Sequence, residues 1–498
     1  MKFALNLIAV LWCGVVLCAG RIPAAETPAE TPNVLFIAVD DLNDWVNCLG
    51  GRTGVHTPNI DRLAGRGVLF TNAHCAAPSC NPSRVAVMTG VRPSTSGIYH
   101  NGQNWRSSPR LARAVTIPDC FRKGGYRATG GGKIFHALSW ISDRYGKQQN
   151  DPAIWDGYFP SKTKPMPEAL WPAAAAVRHH DDGYVSWKAI AKGKDLKGRP
   201  PHFFDFAAID GSERKMADHQ VVDWAIEQLS KKQDQPFFQA VGIFRPHIPW
   251  FVPKKYFDLY PIDEVALPKV LEGDLEDCSK VGIRSIRRSW HRWLLANDQW
   301  RAAVQGYLAS ISFADAQVGR LLDALDRSPH ADNTIVVLWS DHGMHIGEKE
   351  RWEKFTLWEE STRVPLVLVV PGVTKPGGRC RQPVGLVDLF PTLTELCGLA
   401  TGDAELDGVS FAPQLRDPDR PREQPAVTTW GRGNHAVRTA DWRYIRFNNG
   451  DEELYDHTTD PDEFTNLAAQ QPDKWRAKMD KLARWLPKND APPPKQSP

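Results

Sequence analysis

The sequence lacks a clear excess of charge of either sign. Its 498 residues include 61 Lys and Arg against 58 Asp and Glu, a formal charge of +3. Such a chain has no global field for capturing nucleic acid, so any anion that it binds must be held locally. With 42% hydrophobic and 24% charged residues, it also lacks the bias of a collagen-like, a largely disordered or a multi-span membrane protein.

Cysteine is sparse, and no C-x-x-C pair is present among the nine cysteines, which argues against a zinc ribbon or a thioredoxin-type site. Seven cysteines follow residue 18, an odd number that predicts one modified or reactive thiol in an oxidising compartment. The other six are enough for three disulfides, whose pairing the spacing leaves open. The seven are Cys48, Cys75, Cys80, Cys120, Cys278, Cys380 and Cys397.

Long apolar runs are absent except at the amino terminus. Lys2 precedes an apolar run over residues 3–20, and small residues follow at Ala24 and Ala25. This pattern predicts a signal peptide over residues 1–25, a disordered lead-in over 26–32 and a mature fold that begins near Asn33. The alternative is an uncleaved anchor, because about 18 apolar residues is near the minimum for spanning a bilayer. We favour export to the periplasm or the extracellular space by the export machinery, without stable membrane association.

Apolar runs and helical spacing alternate along the chain, which predicts a doubly wound, mostly parallel α/β sheet with helices on both faces. The predicted elements are the strand 33–39, the helix 57–67, the helix 214–232, the strand 237–244, the helix 304–325, the strand 334–340, the strand 366–370 and the helix 384–399.

Three further regions depart from this alternation. Residues 137–211 lack periodicity and are predicted to form an elaborated loop region near a site. Residues 284–292 form a basic cluster, for which a solvated helix face is favoured over a patch for a polyanionic substrate. The α/β domain is placed at 33–420, followed by a small antiparallel sheet with a closing helix at 421–486 and a disordered tail at 487–498.

Acidic pairs follow two of the predicted strands directly. Asp40 and Asp41 follow the first strand, and Asp341 and His342 follow the strand 334–340. Because ligands bind at the carboxyl ends of strands in open α/β sheets, the two pairs are expected to meet there. Three carboxylates favour calcium or magnesium over zinc. Taken alone, Asp40-Asp41 could also cap a helix or a turn.

A third motif is Cys80-Asn81-Pro82-Ser83-Arg84, with Thr89-Gly90 after it. It resembles the signature of the type I sulfatase family, C-x-P-S-R followed by T-G. The resemblance implies an alkaline-phosphatase-like fold and oxidation of Cys80 to formylglycine by a maturation enzyme, which would explain the odd cysteine. The alternative is a structural cysteine that caps a turn.

The resemblance also implies the chemistry. A hydrated aldehyde is a geminal diol, so one hydroxyl can attack sulfur and displace the alcohol, and the second allows sulfate to leave. Arg84 would hold the formylglycine in place, and the converted Cys80 would join the metal ligands Asp40, Asp41, Asp341 and His342.

Other segments resemble the iduronate-2-sulfatase branch of the family. The run from Gly130 to His136 is similar to its G-K-x-F-H segment, which places Lys133 on the sulfate and His136 beside the diol. A phosphate loop is excluded there, because Arg127 stands where its first glycine belongs. His247, in a P-H-x-P element, would protonate the leaving alkoxide, and Lys354 would be a second sulfate ligand.

His342 stands where many sulfatases have asparagine; the iduronate-2-sulfatase branch also has histidine at this position. The sequence therefore predicts an exported, calcium-dependent sulfuric ester hydrolase, with Mg²⁺ the less favoured cation, acting on a sulfated oligo- or polysaccharide; a 2-sulfated uronic acid is one candidate. Two alternatives stay open: a phosphomonoester or phosphonate hydrolase with the same metal site, and a non-catalytic sulfated-glycan-binding relative.

Overall fold

The computed structural model describes residues 31–51, 54–136, 150–161, 164, 196–198, 204–210, 212–284, 288–402 and 405–494. The strands, in chain order, are β1 Asn33–Val39, β2 Val68–Phe70, β3 Ala73–His74, β4 Arg127–Gly132, β5 Gly157–Phe159, β6 Phe206–Ile209, β7 Phe237–Ile243, β8 Trp250–Pro253, β9 Thr334–Ser340, β10 His345–Ile346, β11 Trp352–Glu353, β12 Leu366–Val369, β13 Gly378–Cys380, β14 Val384–Gly385, β15 Ala426–Thr429, β16 His435–Arg438, β17 Trp442–Arg446 and β18 Glu452–Asp456.

The helices are α1 Pro58–Arg66, α2 Cys80–Thr89, α3 Pro93–Ser96, α4 Ile117–Lys123, α5 Ala217–Leu229, α6 Lys254–Phe257, α7 Lys280–Arg284, α8 Arg288–Ala296, α9 Trp300–Asp326, α10 Glu359–Thr362, α11 Leu389–Leu396, α12 Ala412–Arg416, α13 Leu467–Gln470 and α14 Pro472–Ala483.

The central sheet has the strand order β13-β2-β12-β9-β1-β7-β4-β5. All its pairings are parallel except those of β12, which runs antiparallel to both β9 and β2. The prediction of a mostly parallel sheet is confirmed. β12 can run antiparallel to β9 because the segment between them holds only β10, β11, a short 3₁₀ turn and the one-turn α10, and no long helix that would carry the chain back across the sheet.

Alternate residues of β1 show that both faces of this sheet are covered. Leu35 and Ile37 pack into one hydrophobic core with α9, whereas Val34 and Phe36 pack into another with α2. All seven residues of β1 are buried, as are those of β7 and β9. Strands between two helical layers are apolar on both sides, which explains why these three read as continuous apolar runs.

The carboxyl-terminal part is the predicted antiparallel sheet, in which β15, β16, β17 and β18 pair in order. One face packs on the closing helix α14 through Tyr444 and Met479, and the other packs on the α/β part through Ile445 and Trp358. The described residues of 32–498 form one compact unit, and the boundary near residue 420 stays an interpretation.

Some expectations need correction. Most of the region 137–211 lies outside the described residues, and its described part is not all loop: β5 forms the edge of the central sheet beside β4, and β6 pairs with β8. In the interval 384–399, the α-helix is confined to α11, and β14 and a 3₁₀ turn over Leu386–Asp388 precede it. The tail is ordered over 487–494: the Ala491 backbone bonds to Ser94 and Tyr99, so the prediction of disorder is wrong there.

The seven predicted mature cysteines all lie in the described residues and are free thiols; none of the conceivable disulfides is formed. Residues 285–287 of the basic cluster lie outside the described residues; in the described part, α8 buries Trp290 and Trp293 while Arg292 is exposed, as the favoured interpretation of a solvated helix face expects. No helix among the described residues is both long and apolar enough to span a bilayer. The predicted signal peptide lies outside the described residues.

Candidate active site

The candidate site lies at the carboxyl edge of four neighbouring parallel strands, in the order β9, β1, β7 and β4. Each strand ends directly before a predicted site residue or the short turn that carries one, as the rule for open α/β sheets requires. The amino terminus of α2 adds Cys80 and Arg84, and the segment after β11 adds Lys354. The structure thus assembles all ten predicted residues: Asp40, Asp41, Cys80, Arg84, Lys133, His136, His247, Asp341, His342 and Lys354.

A buried guanidinium joins the two acidic pairs. The Nε atom of Arg84 lies 2.8 Å from Oδ2 of Asp341, and its Nη2 atom lies 3.1 Å from Oδ1 of Asp40. All three side chains are fully buried. Moving α2 away from β1 or β9 would leave a buried charge without its partner, which costs free energy. The two ion pairs therefore hold the carboxyl ends of β1 and β9 in place relative to α2.

Two lysines complete the charge balance. Lys133 forms a short ion pair with Asp40, and Nζ of Lys354 lies 2.7 and 2.8 Å from the two carboxylate oxygens of Asp41. Burial raises the pKa of Asp40, but Lys133 and Arg84 outweigh it and hold that pKa well below its usual range. Asp40 is therefore an anion at neutral pH despite its burial.

Cys80 is the first residue of α2 and is fully buried. Its Sγ atom lies 3.2 Å from Nε2 of His342 and 3.7 Å from Nζ of Lys133, and His136 hydrogen-bonds to it. Burial raises the pKa of the thiol, but Lys133, Lys354 and His342 together outweigh burial and hold that pKa well below its usual range. The position thus favours a negatively charged group.

The backbone is strained around the lysine and its partner. Asp41 has φ +59°, and Glu353 and Phe355, on either side of Lys354, both have φ +74°. Non-glycine residues rarely adopt this region, and such strain clusters at functional sites. The Tyr307 hydroxyl donates to the Asp41 carbonyl at 2.8 Å, which helps to hold this conformation.

The glycine run before Lys133 has a steric cause. Gly132 has φ +71°, and a Cβ atom there would lie 2.0 Å from the carbonyl oxygen of Gly242 on β7. Only glycine allows β4 and β7 to approach so closely before the chain turns to place Lys133. The run is the end of a strand, and not a phosphate loop.

The donor atoms fit a divalent cation. Ligand atoms of Asp40, Cys80, Asp341 and His342 all lie within 4.8 Å of one another, and Oδ1 of Asp41 lies 3.4 Å from Nε2 of His342. Carboxylate oxygens predominate, as in calcium and magnesium sites. The other ring nitrogen of His342, Nδ1, lies 3.0 Å from the Gly343 carbonyl, which fixes the ring with Nε2 toward the cluster.

His247 lies at the edge of the cluster and is 21% exposed, with Nε2 at 3.9 Å from Oδ2 of Asp41. It is the most accessible of the titratable side chains around Asp41, since Lys354 is 5% exposed and His342 fully buried. A group at this edge can reach a molecule that enters from solvent, which the buried members cannot do as readily.

Supporting contacts were missed from the sequence. The Ser83 hydroxyl donates to the Asp341 carbonyl at 2.6 Å, and Ser340 Oγ accepts from the Leu42 N–H at 3.0 Å. Ser83 belongs to the signature motif, which gave it no role, and Ser340 ends a predicted strand. Tyr307, in the middle of α9, left no signal at all.

Comparisons with known proteins agree with this geometry. The Sulfatase family profile matches residues 32–399, and the profile for the C-terminal part of N-sulphoglucosamine sulphohydrolase matches residues 347–487. The chain belongs to the sulfatase family. Its fold is the alkaline-phosphatase-like α/β arrangement that the resemblance implied.

Three similar proteins illustrate the range. A sulfatase of Formosa agariphila is 38% identical over 474 residues, covering 94% of this chain and 88% of its own. Iduronate 2-sulfatase of Homo sapiens is 32% identical over 434 residues, which cover 78% of this chain and 74% of the human protein. The phosphonate monoester hydrolase structure of Agrobacterium radiobacter has a TM-score of 0.68 at 25% identity, and the match covers 91% of this chain and 94% of that chain.

Proposed function

We propose that this protein is an exported hydrolase that removes sulfate from a sulfated carbohydrate. The observation that carries the proposal is the setting of Cys80, which lies at a buried helix amino terminus against Lys133 and His342. Formylglycine at this position would supply, in its hydrated form, a hydroxyl nucleophile and a second hydroxyl for sulfate release.

Asp40, Asp41, Asp341, His342 and the converted Cys80 would hold a calcium ion, which would lower the pKa of the attacking hydroxyl and neutralise sulfate charge. Magnesium is the less favoured cation.

The chain's own cations bind and orient the ester. Lys133 pairs with Asp40 and Lys354 pairs with Asp41, the two carboxylates that directly follow β1. Their ammonium groups bind sulfate oxygens, where charge is redistributed as the sulfur–oxygen bond breaks. Arg84 holds residue 80 indirectly, because it fixes the carboxylates beside it. His136 contacts residue 80 directly and keeps its hydroxyl oriented.

His247 is the proton donor in this proposal. An alkoxide is a poor leaving group, so the sugar oxygen needs a proton as its bond to sulfur breaks. His247 is the partly exposed titratable group beside Asp41, and its Nδ1 atom lies 2.6 Å from the Ile248 carbonyl. That contact fixes the ring and leaves Nε2 toward the cluster.

The substrate class rests on similarity. The human relative is an iduronate 2-sulfatase by name, and this chain shares with that branch His342 and the segments around His136 and His247. These features favour a 2-sulfated uronic acid. Release of sulfate from a 2-sulfated uronate disaccharide, with a 6-sulfated glucosamine disaccharide as control, tests this assignment; equal rates would contradict it.

Peptide mass spectrometry of protein from its native host tests the nucleophile. The Cys80 peptide should be lighter by about 18 Da than its thiol form, because conversion to the aldehyde replaces the sulfur by oxygen and removes two hydrogens. The mature protein should begin near residue 26, as expected of an exported chain. An unmodified thiol in native material would favour the non-catalytic sulfated-glycan-binding alternative.

A second candidate is a phosphonate or phosphomonoester hydrolase, favoured by the structural likeness to a phosphonate monoester hydrolase. Turnover of an aryl sulfate and the matched aryl phosphate separates the two. We expect the sulfate to be preferred and Cys80→Ala to abolish turnover of both. Preference for the phosphate would support the second candidate.

A further inference from the structure

We propose that Asp218 is a positioning residue for His247, the proton donor. This inference rests on the proposed function. Asp218 is the second residue of α5 and only 2% exposed. An acidic residue in the first turn of a helix ordinarily interacts with that helix's own amino terminus. Here the carboxylate reaches another part of the chain.

The Asp218 carboxylate accepts two backbone hydrogen bonds from the residues that follow β7. The Phe244 N–H donates to Oδ1 at 2.6 Å, and the Arg245 N–H donates to Oδ2 at 3.2 Å. These are the first two residues of the turn that carries His247. Asp218 therefore fixes the direction in which the chain leaves the sheet just before the proton donor.

The rest of the turn transmits this position. The His247 N–H bonds to the Phe244 carbonyl at 3.0 Å, and the Phe244 and His247 rings lie 4.7 Å apart between centroids. The Trp250 indole donates to the Pro246 carbonyl at 2.6 Å. Displacing the Phe244 backbone would thus move the ring against which His247 packs and change its distance from Asp41.

Arg245 is a buried cation close enough to Asp218 to influence its carboxyl electrostatically. Its side chain is fully buried, its Nε atom lies 3.4 Å from the Phe251 carbonyl, and its guanidinium lies 5.3 Å from the centroid of the Phe244 ring. Burial raises the pKa of the Asp218 carboxyl overall, although Arg245 lowers that pKa in part. The backbone of the turn is thus held by Asp218 on α5, and the Arg245 side chain by the Phe251 carbonyl on β8.

Asp218→Asn tests the inference, because it keeps the shape of the side chain but presents an amide N–H₂ to one of two backbone donors. Two substrates are compared: 4-nitrophenyl sulfate, whose phenolate leaves without a proton, and an alkyl sugar sulfate, whose alkoxide needs one. We expect kcat for the sugar sulfate to fall about 10- to 100-fold. For the aryl sulfate, kcat should stay within about twofold, with KM little changed.

Glu227→Gln, on the exposed face of the same helix, is the matched control; Glu227 is 50% exposed and pairs with Lys164 and Lys231. It should change neither rate. His247→Ala should show the same selectivity for the leaving group. The double variant of Asp218 and His247 should be no slower on the sugar sulfate than His247→Ala alone, because both changes remove one function.

Equal losses on both substrates, an unchanged sugar-sulfate rate, or additive losses in the double variant would overturn the positioning role. Thermal unfolding of each variant shows whether an equal loss reflects a damaged fold, which would also count against the inference. If the wild-type enzyme, with Cys80 converted, hydrolyses neither sulfate, the proposed function itself fails. Normal wild-type turnover without the predicted selectivity refutes the role of Asp218 alone.

Discussion

Arg84 and Asp341 form a fully buried ion pair, with 2.8 Å between Nε and Oδ2, although 257 residues separate them in the sequence. The same guanidinium also reaches Asp40. One side chain of the signature helix thus connects the carboxyl ends of two adjacent strands. The pair explains why the motif C-x-P-S-R and the acidic residues, far apart in sequence, belong to one site.

Replacing Arg84 by methionine should destabilise the protein strongly. It leaves Asp40 and Asp341 buried without their shared cation, and breaking a buried pair in this way costs about 3–5 kcal/mol. Urea unfolding with calcium absent measures the difference. Arg62→Met is the control, because Arg62 forms an exposed pair with Asp323 and should change stability by less than about 1 kcal/mol. Equal effects of the two substitutions would refute the structural role of Arg84.

Calcium should stabilise the folded protein if the acidic cluster binds it. A ligand at 100 times its dissociation constant adds about 2.7 kcal/mol to the unfolding free energy. After treatment with a chelator, added Ca²⁺ should raise the unfolding temperature, and Asp341→Asn should require higher Ca²⁺ for the same rise. Asp323→Asn, an exposed change on α9, should behave as wild type. A shift that survives unchanged in Asp341→Asn would place the cation elsewhere.

The sequence was informative where burial leaves a pattern. The apolar runs of β1 and β9 marked strands buried on both faces, and the acidic pairs directly after them could be placed at one edge of the sheet. Lys354 and His247 were assigned only through the resemblance, since a single lysine or histidine after a strand carries no spacing signal.

The contacts that support the site could not have been predicted in this way. Asp218 and Tyr307 act through hydrogen bonds to backbone atoms of Phe244 and Asp41. Such bonds need one side chain at one place and impose no period on the sequence. The ordered tail was missed for a related reason: a proline-rich segment without regular structure can still pair its backbone with another loop.

The carboxyl-terminal sheet should couple stability to pH through Glu463. This buried carboxylate pairs with Arg443 and lies 2.8 Å from Nε2 of His457. Burial raises the pKa of Glu463, but Arg443 and His457 together outweigh burial and hold that pKa below its ordinary value. A carboxyl with a lowered folded-state pKa stabilises the fold above its unfolded pKa of about 4.3. That contribution is lost as pH falls through the folded-state pKa.

Arg443→Met should therefore cost about 3–5 kcal/mol at pH 7. The difference from wild type should be smaller near pH 4, because protonation of the two carboxylates that Arg443 pairs with, Glu463 and Glu359, relieves the unpaired buried charge. Urea unfolding at both pH values measures this. Arg476→Met removes an exposed pair with Glu452 and is the control, with little effect at either pH. A wild-type advantage that is constant or grows on acidification would contradict the assigned role of Glu463.

The ordered tail should support the loop beside Cys80. Ala491 donates its N–H to the Ser94 carbonyl at 2.7 Å and accepts from the Tyr99 hydroxyl at 2.8 Å. The loop that follows, residues 97–103, contacts Asn81, whose side-chain amide donates to the Gln103 carbonyl at 2.8 Å. The tail thus contacts the segment that holds Asn81, the residue next to Cys80.

Removing residues 489–498 should lower the unfolding free energy by about 1–3 kcal/mol, since each lost hydrogen bond contributes about 1 kcal/mol and the freed tail regains conformational entropy. Amide hydrogen exchange over residues 97–103 should become faster in the truncated protein, because local opening no longer breaks the Ala491 bonds. Removing only residues 495–498 keeps every described contact of the tail and is the matched control. If both truncated proteins have the unfolding free energy and the amide exchange rates of the full chain, the tail contacts do not stabilise this loop.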